Sequence, residues 1–244
     1  MKRLLILCLL AFALTGFALT EEMEKTIPAQ ALDRLVVENV NGDVEVRCVA
    51  GAEVRLKAVK SGKTQEALDG MKITIKEEGR TLSVTTEYPH HGLLGFTHSH
   101  GGSVQYTLDV PEHLALAVET VNGDVLVSGA RSGVELESVN GAVTAEGIRG
   151  RISAETVNGG ISVESLDEIP DIHLETVNGA IGIQAPKGAR ASYHFETVNG
   201  GLKCAPETFT VRGAGPKEIE GTWNGGGGKI RAETVNGGIT VELI

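Results

Sequence analysis

The segment Glu155-Thr156-Val157-Asn158-Gly159 is one of seven closely related five-residue copies in this 244-residue chain. The asparagine of each copy serves as a reference position, and these are Asn41, Asn122, Asn140, Asn158, Asn178, Asn199 and Asn236. Successive reference positions are 81, 18, 18, 20, 21 and 37 residues apart. Four similar short spacings in a row, followed by one of nearly double length, indicate an internal structural repeat.

Apolar residues alternate with polar residues on both sides of each reference asparagine. Around Asn158, Ile152 and Ile161 are examples, and the residues at the equivalent positions of all other copies are also apolar. This period of two predicts two short strands per repeat, each burying one face. Thr156 and its small polar equivalents fall on the buried face, where their side chains can bond to one another or to the backbone.

Two folds satisfy this pattern. Asn-Gly between alternating strands is a strong signal for a type I′ hairpin, which would produce a meander. Alternatively, each repeat is one coil of a β-solenoid, and Asn-Gly forms a corner that needs a left-handed residue. Repetition of one residue at seven positions favours the solenoid, because stacked coils place like side chains about 4.8 Å apart and stacked asparagines can bond in a ladder. The expected fold is therefore all-β, a solenoid of roughly 18–21-residue coils.

The chain begins with Lys2 and Arg3, followed by an apolar run and then acidic residues. This layout predicts a secretory signal peptide over residues 1–18, because the run of about 16 apolar residues is shorter than the roughly 20 of a membrane span. We therefore expect an exported protein of the periplasm or cell surface, with no transmembrane span in the mature chain. The predicted segments are a signal peptide (1–18), a flexible lead-in (19–30) and one solenoid domain (31–244), comprising a first coil, an irregular β insertion (49–113), regular coils (114–202), a degenerate coil with a Gly-rich loop (203–228) and a terminal coil (229–244).

Within the insertion, alternation predicts strands at 53–59, 72–76, 81–86 and 104–110. A short helix is predicted at 64–69, closed by Gly70 as the C-cap. The formal net charge is −10 for the whole chain and becomes −12 without residues 1–18, which argues against nucleic acid as a partner. An oxidising compartment would permit a disulfide, but the repeat places Cys48 and Cys204 several coils apart, which favours two separate buried thiols.

Four histidines, His90, His91, His98 and His100, lie within eleven residues. Imidazole is a ligand that zinc prefers, so a transition-metal site at this segment is one hypothesis. A surface loop without metal is the alternative, because the segment is rich in glycine.

The glutamate three residues before each reference asparagine is expected to point outward and to stack into a ladder of like charges. Its members include Glu119, Glu137, Glu155, Glu175 and Glu196, together with Glu38 and Glu233 at the ladder's other copies. Carboxylates about 5 Å apart repel, so calcium along the ladder is a second metal hypothesis, and a solvated acidic face is the alternative. Within each copy, the glutamate is the side chain expected to be left free to act outward.

The order of motifs resembles the bacterial "putative-adhesin" family of β-strand-repeat proteins, a domain of unknown function. The resemblance rests on Val-Glu-Asn-Val-Asn-Gly-Asp-Val-Glu-Val (37–46), Val-Gln-Tyr-Thr-Leu-Asp-Val-Pro (104–111), the serial Glu-Thr-Val-Asn-Gly copies and the late Gly-rich loop. It covers about residues 30 to 244 and implies an exported β-helical solenoid without catalytic residues.

No nucleophile elbow, His-Glu-x-x-His motif or activated cysteine is present in the sequence. We therefore expect a non-enzymatic binding or structural scaffold at the cell envelope, with an unidentified protein or envelope ligand as its partner. A metal-binding envelope protein and, third, a saccharide-active enzyme are the alternatives. The final residues, 237–244, show no polar cap, which predicts an open terminal coil available for self-association.

Overall fold

The computed structural model describes residues 18–88, 102–165, 171–204, 214–215 and 218–244. These residues form strands connected by short corners, with one short helix. The strands are β1 Leu19–Pro28, β2 Arg34–Glu38, β3 Val44–Val49, β4 Glu53–Gly62, β5 Lys72–Glu78, β6 Thr81–Glu87, β7 Gly102–Pro111, β8 Ala115–Asn122, β9 Val125–Ser128, β10 Val134–Asn140, β11 Val143–Ile148, β12 Ile152–Thr156, β13 Ile161–Ser165, β14 Asp171–Asn178, β15 Ile181–Ala185, β16 Ala191–Thr197, β17 Leu202–Cys204, β18 Ala214–Gly215, β19 Glu218–Trp223, β20 Gly228–Asn236 and β21 Ile239–Leu243, and the helix is α1 Gln65–Gly70.

Each regular coil contributes one strand to each of two sheets. Sheet 1 has the order β1-β4-β7-β3-β9-β11-β13-β15-β21-β17, and sheet 2 has the order β18-β19-β16-β20-β14-β12-β10-β8-β2-β6-β5. Strands of neighbouring coils are parallel and in register, so that Glu137 lies beside Glu155 and Thr156 beside Thr176. The predicted β-solenoid is confirmed, and the hairpin meander is wrong for the repeats.

The two sheets enclose one hydrophobic core built from columns of aliphatic side chains. Each column repeats one position of the coil, because neighbouring coils pair in register. At the end of the stack formed by β16 and β19, which we call the far end, the core contains aromatic rings. The rings of Tyr193 and Phe195 stack 5.1 Å apart, and Trp223 lies 5.3 Å from Tyr193. Trp223 of the degenerate segment therefore closes this end of the core.

The near end of the stack is closed by the insertion and by β1. Strand β7 pairs in parallel with β3 and antiparallel with β4, while β6 pairs in parallel with β2. Residues 19–30, predicted as a flexible lead-in, instead contain β1, which pairs antiparallel with β4 along its whole length. Opposite charges support this pairing, since the Lys57 Nζ lies 2.5 Å from the Glu22 Oε1.

The predicted short helix is present as α1. The hydroxyl of Thr64 accepts a hydrogen bond of 3.2 Å from the Ala67 backbone N–H, which caps the first turn. Gly70 is the last helical residue rather than the C-cap, a position held by Met71. Leu68 and Met71 are buried, and this packing anchors the helix over the near end of the core.

The last coil of the described chain lies inside the stack rather than at its end. Strand β20 lies between β14 and β16, and β21 lies between β15 and β17. The predicted open terminal coil at 237–244 is therefore wrong, because both of its strands are paired on both edges. The coil of β16 and β17 occupies the end position, and β19 covers its sheet 2 strand by antiparallel pairing.

The repeat glycines are needed for a reason other than the predicted left-handed corner. Gly42 has a positive φ of 114°, but the glycines of the other six copies do not lie in that region. Instead, the corners approach closely: a Cβ on Gly159 would lie 1.9 Å from the carbonyl oxygen of Gly141. Any side chain would push adjacent coils apart.

We expect Gly159→Ala to lower the free energy of unfolding by about 2 kcal/mol or more, because the corner has to shift to relieve the clash. Gly188→Ala is the matched control, since nothing lies within 4 Å of its added Cβ. It should change stability by less than about 0.5 kcal/mol. Urea unfolding of both variants measures the difference, and equal stability of the two would contradict the close-approach explanation.

Candidate functional site

The Glu-Thr-Val-Asn-Gly corners form a continuous stack along one side of the solenoid. The hydroxyl at the threonine position points inward and donates to the glycine carbonyl of the adjacent coil. These bonds are Thr120 to Gly42 (3.4 Å), Ser138 to Gly123 (3.0 Å), Thr156 to Gly141 (2.9 Å), Thr176 to Gly159 (2.9 Å), Thr234 to Gly179 (2.9 Å) and Thr197 to Gly237 (2.8 Å). The buried hydroxyl is thus satisfied by the same carbonyl that excludes a side chain on the next glycine.

The seven reference asparagines stack beside these bonds, and each side-chain amide donates to the amide oxygen of the adjacent coil. The bonds run Asn122 to Asn41 (2.8 Å), Asn140 to Asn122 (2.9 Å), Asn158 to Asn140 (2.8 Å), Asn178 to Asn158 (2.9 Å), Asn236 to Asn178 (2.8 Å) and Asn199 to Asn236 (2.9 Å). The coil of β20 and β21 supplies Asn236, which bonds to both Asn178 and Asn199 and so keeps the ladder unbroken.

Two parallel rows of side chains leave the corners on the outer face of sheet 2. One row is the glutamate ladder, in the spatial order Glu38, Glu119, Glu137, Glu155, Glu175, Glu233, Glu196. The other row is valine, with exposed fractions between 38% and 45% at Val121, Val139, Val157, Val177, Val235 and Val198. The shallow space between the rows, which we call the Glu–Val groove, has a volume of about 570 Å³.

The valine row corrects the expectation that glutamate alone acts outward from each copy. Two residues apart on a strand, the glutamate and the valine share the outward face, while the threonine between them is buried. Because residues two apart on a strand share a face, the sequence already predicts that Val157 points outward together with Glu155. From the strand spacing of about 4.8 Å, the groove runs for about 29 Å along the stack.

Histidine or arginine lies beside the glutamates at one end of the groove and not at the other. The residue two positions before each glutamate lies beside it, and at the far end it is basic. The His173 Nε2 lies 3.0 Å from the Glu175 Oε1, Arg231 forms an ion pair with Glu233, and His194 faces Glu196. At Glu119 and Glu155 the corresponding residues are Ala117 and Ser153, which carry no charge.

The half-groove of Glu38, Glu119, Glu137 and Glu155 is therefore a run of carboxylates that form no ion pair in the described chain. Burial, followed by the charges of Glu137 and Glu38, raises the pKa of Glu119 above its usual value. A raised carboxyl pKa means that the folded structure disfavours the negative charge at this place. Cationic groups are what this half-groove can bind.

The structure locates only some of the predicted metal ligands. His90, His91, His98 and His100 lie outside the described residues, so the zinc hypothesis there stays a prediction. Within the described ranges, each group of three ligand atoms that lie within 4.8 Å of one another contains His194. Glu119, Glu137, Glu155 and Glu175 belong to none of these groups, whereas Glu196 belongs to one. Calcium along the ladder likewise stays a prediction.

Cys48 and Cys204 do not form a disulfide. Burial raises the pKa of the Cys48 thiol to about 12 and that of the Cys204 thiol to about 11. Both remain protonated at neutral pH and are therefore poor nucleophiles. The Gly-rich corner has positive φ at Asn224, Gly225 and Gly226 and serves to lead β19 into β20.

The fold and the corner stack define a two-sheet β-solenoid with an acidic and apolar groove. The chain belongs to the Toastrack DUF4097 family, whose model matches residues 11–242. The resemblance to a bacterial adhesin-like repeat family is thereby confirmed.

Solved structures that are similar to this chain include two bacterial proteins of low sequence identity. One is a "putative cell adhesion protein" from Clostridium sporogenes, with a TM-score of 0.54 and 12% identity, covering 92% of this chain and 100% of that protein. Another is a "putative adhesin" from Bacteroides fragilis, with a TM-score of 0.45 and 10% identity, covering 91% and 97%. Among curated proteins, none matches the sequence. The first similarity supports the fold alone.

The described part of the chain contains no helix with the length and hydrophobicity needed to cross a membrane.

We expect Asn158→Ala to lower the free energy of unfolding by about 1–2 kcal/mol, because Asn158 makes one ladder bond to each neighbour. Asn199→Ala is the matched variant at the end of the ladder, where one such bond is made. Its cost should be about half as large. Chemical unfolding of both proteins tests this, and a larger effect at Asn199 would argue against a ladder of additive bonds.

We expect Glu119→Gln to raise the melting temperature at pH 7 in low salt. Because burial and the charges of Glu137 and Glu38 raise the pKa of Glu119 in the folded protein, the destabilisation from its charge is absent at acid pH and develops as the carboxyl ionises with rising pH. The gain should therefore vanish below about pH 4 and shrink in high salt. Glu135→Gln is the control, since Glu135 accepts a 2.6 Å bond from Arg34 and its loss gives no gain. A pH-independent gain for Glu119→Gln would refute the electrostatic origin.

Proposed function

We propose that this protein is an exported, non-enzymatic, adhesin-like scaffold that binds an extended cationic ligand in the Glu–Val groove. The ligand class follows from the two rows of the groove. Carboxylates attract cationic groups, and a contiguous row of exposed valines offers an apolar strip of the kind that marks interaction surfaces. An extended polypeptide carrying both basic and apolar side chains satisfies both rows at once.

The observation that carries this proposal is the half-groove, in which the carboxylates form no ion pair within the described chain. Glu119, Glu137 and Glu155 repeat at the coil spacing, and none of them forms an ion pair among the described residues, where Arg34 binds Glu135 instead. Like charges opposite one another on adjacent strands reduce stability. Threonine and asparagine hold each corner in register, so the charges cannot spread far apart along the stack. A cationic ligand would relieve this repulsion on binding.

Export is proposed from two independent features. The first is the signal-peptide layout of residues 1–18, which lie almost entirely outside the described residues. The second is that a solved structure similar to this chain is described as a "putative cell adhesion protein". Periplasm and cell surface both remain compatible with these features.

A non-enzymatic role is supported by the chemistry of the exposed surface. The side chains that recur along the groove are glutamate and valine, and the two thiols have raised pKa values. The repeat presents a regular surface along its length, as binding proteins built on stacked repeats do. The saccharide-active enzyme considered from the sequence gains no support from this arrangement.

The test is binding of a fluorescent ten-residue peptide of lysine and leucine, measured by anisotropy in low salt. We expect binding to the protein and none for the same peptide with glutamate in place of lysine. The triple variant Glu119→Gln, Glu137→Gln, Glu155→Gln should weaken binding about tenfold, since each exposed ion pair contributes up to about 1 kcal/mol.

The matched control removes three glutamates from the outer face of sheet 1, at Glu146, Glu164 and Glu242. It changes the net charge by the same amount and should leave binding nearly unchanged. If both triple variants weaken binding equally, the interaction depends on net charge and the groove is not the site.

A further inference from the structure

We infer that His194, Glu218 and Glu220 form a binding site for a divalent transition-metal ion of the zinc class. The site lies at the far end of sheet 2 and is separate from the uncompensated half of the Glu–Val groove. Its ligands are also different residues from the histidines of the segment 90–100. The sequence alone does not indicate this metal site. Glu218 and Glu220 are 24 and 26 residues from His194 and belong to an irregular segment without repeats.

Antiparallel pairing of β19 with β16 brings these residues together. The register places Glu220 directly opposite His194 and Glu218 directly opposite Glu196. Alternation puts all four on the outer face, away from the buried Trp223 and Phe195. Opposite residues of an antiparallel pair have Cβ atoms about 4.5–5.5 Å apart, within reach of a shared ion.

The ligand atoms have separations suited to zinc. The His194 Nδ1 lies 3.0 Å from the Glu220 Oε1 and 3.8 Å from the Glu218 Oε1. All three atoms lie within 4.8 Å of one another. Ligands about 2.0–2.1 Å from a tetrahedral zinc ion are about 3.3 Å apart, a value between the two measured distances. One imidazole and two carboxylates leave a fourth position for water.

The surroundings favour the Nδ1 side of the ring over the Nε2 side. On the Nε2 side, Glu196 lies 3.9 Å away and Glu233 is already paired with Arg231. Metal-bound histidines commonly direct their second nitrogen toward a carboxylate, a role that Glu196 is placed to fill. On the Nδ1 side, His194 is the basic partner that the structure shows for Glu218 and Glu220.

Charge also favours a cation at this place. Glu196 has Glu218 opposite it on one neighbouring strand and Glu233 opposite it on the other. Arg231 lies opposite His194 on β20 but binds Glu233. Lys229, two residues before Arg231 on β20, lies opposite Ser192. An open cleft of about 610 Å³ that includes His194 and Glu220 gives solvent ions access to the ligand atoms.

A bound ion would join β19 to β16 and so fasten the strand that covers the end coil. The ion would link side chains from two strands, which adds to their backbone pairing. At a free zinc concentration about one hundred times the dissociation constant, we expect the melting temperature to rise by about 5–10 °C. Calcium should cause a much smaller shift, because it prefers oxygen ligands and gains little from imidazole.

Isothermal titration with zinc chloride tests the site in the full chain without a histidine tag. The background carries alanine at His90, His91, His98 and His100, so that this segment contributes no heat. We expect one zinc ion per chain, loss of the heat in His194→Gln, and at least tenfold weaker binding in Glu220→Gln.

His173→Gln is the matched control, because His173 also faces a glutamate two residues later but lacks a neighbouring acidic β19. It should leave the dissociation constant within about threefold. Absence of heat in the background protein, or heat unchanged by His194→Gln, would overturn the proposal. If His194→Gln does not fold, the double variant Glu218→Gln, Glu220→Gln replaces it: loss of the heat supports the site and retention of the heat overturns it.

Discussion

Close backbone contact between successive Asn-Gly corners is the constraint on which the rest of the structure depends. The carbonyl oxygen of each repeat glycine sits where the next glycine would carry a Cβ, and it also accepts the hydroxyl bond of the threonine position. A single atom therefore sets both the distance between coils and their register. With that distance fixed, the asparagine amides reach one another and the core side chains pack in columns.

The same constraint produces the functional surface. Glutamate and valine point outward on either side of a buried threonine, so locking the threonine also fixes the spacing of both exposed rows. Seven repetitions turn a weak local feature into a groove with a definite charge pattern. The pattern is not uniform, because basic residues accompany Glu175, Glu233 and Glu196, while Glu119 and Glu155 have uncharged neighbours. The residues that recur in every corner are those that the fold requires. The residue two positions before each glutamate does not recur, and its charge distinguishes the two ends of the groove.

The sequence was sufficient to predict the solenoid, the inward hydroxyl and the stacked asparagines, because each depends on residues that recur at equivalent positions. It predicted the outward glutamates but underestimated Val157 and its equivalents, although the same period-two argument places them outward. It could not predict that β20 and β21 enter between earlier coils, since all the repeats are compatible with one another as neighbours. The cluster at His194 was inaccessible for a related reason: its partners Glu218 and Glu220 belong to a strand that has no repeat signature and pairs in the opposite direction.

The position of β20 and β21 has a consequence for the order in which the molecule can be built. Coils up to β14 and β15 can be added one by one as the polypeptide is synthesised, each new coil resting on the one before it. The coil of β16 and β17 is made next, yet in the described chain its strands pair with β20 and β21, which are made later and which pair in turn with β14 and β15. The order of the coils in the stack therefore differs from the order in which they are synthesised, because the segment made last lies between two coils made earlier.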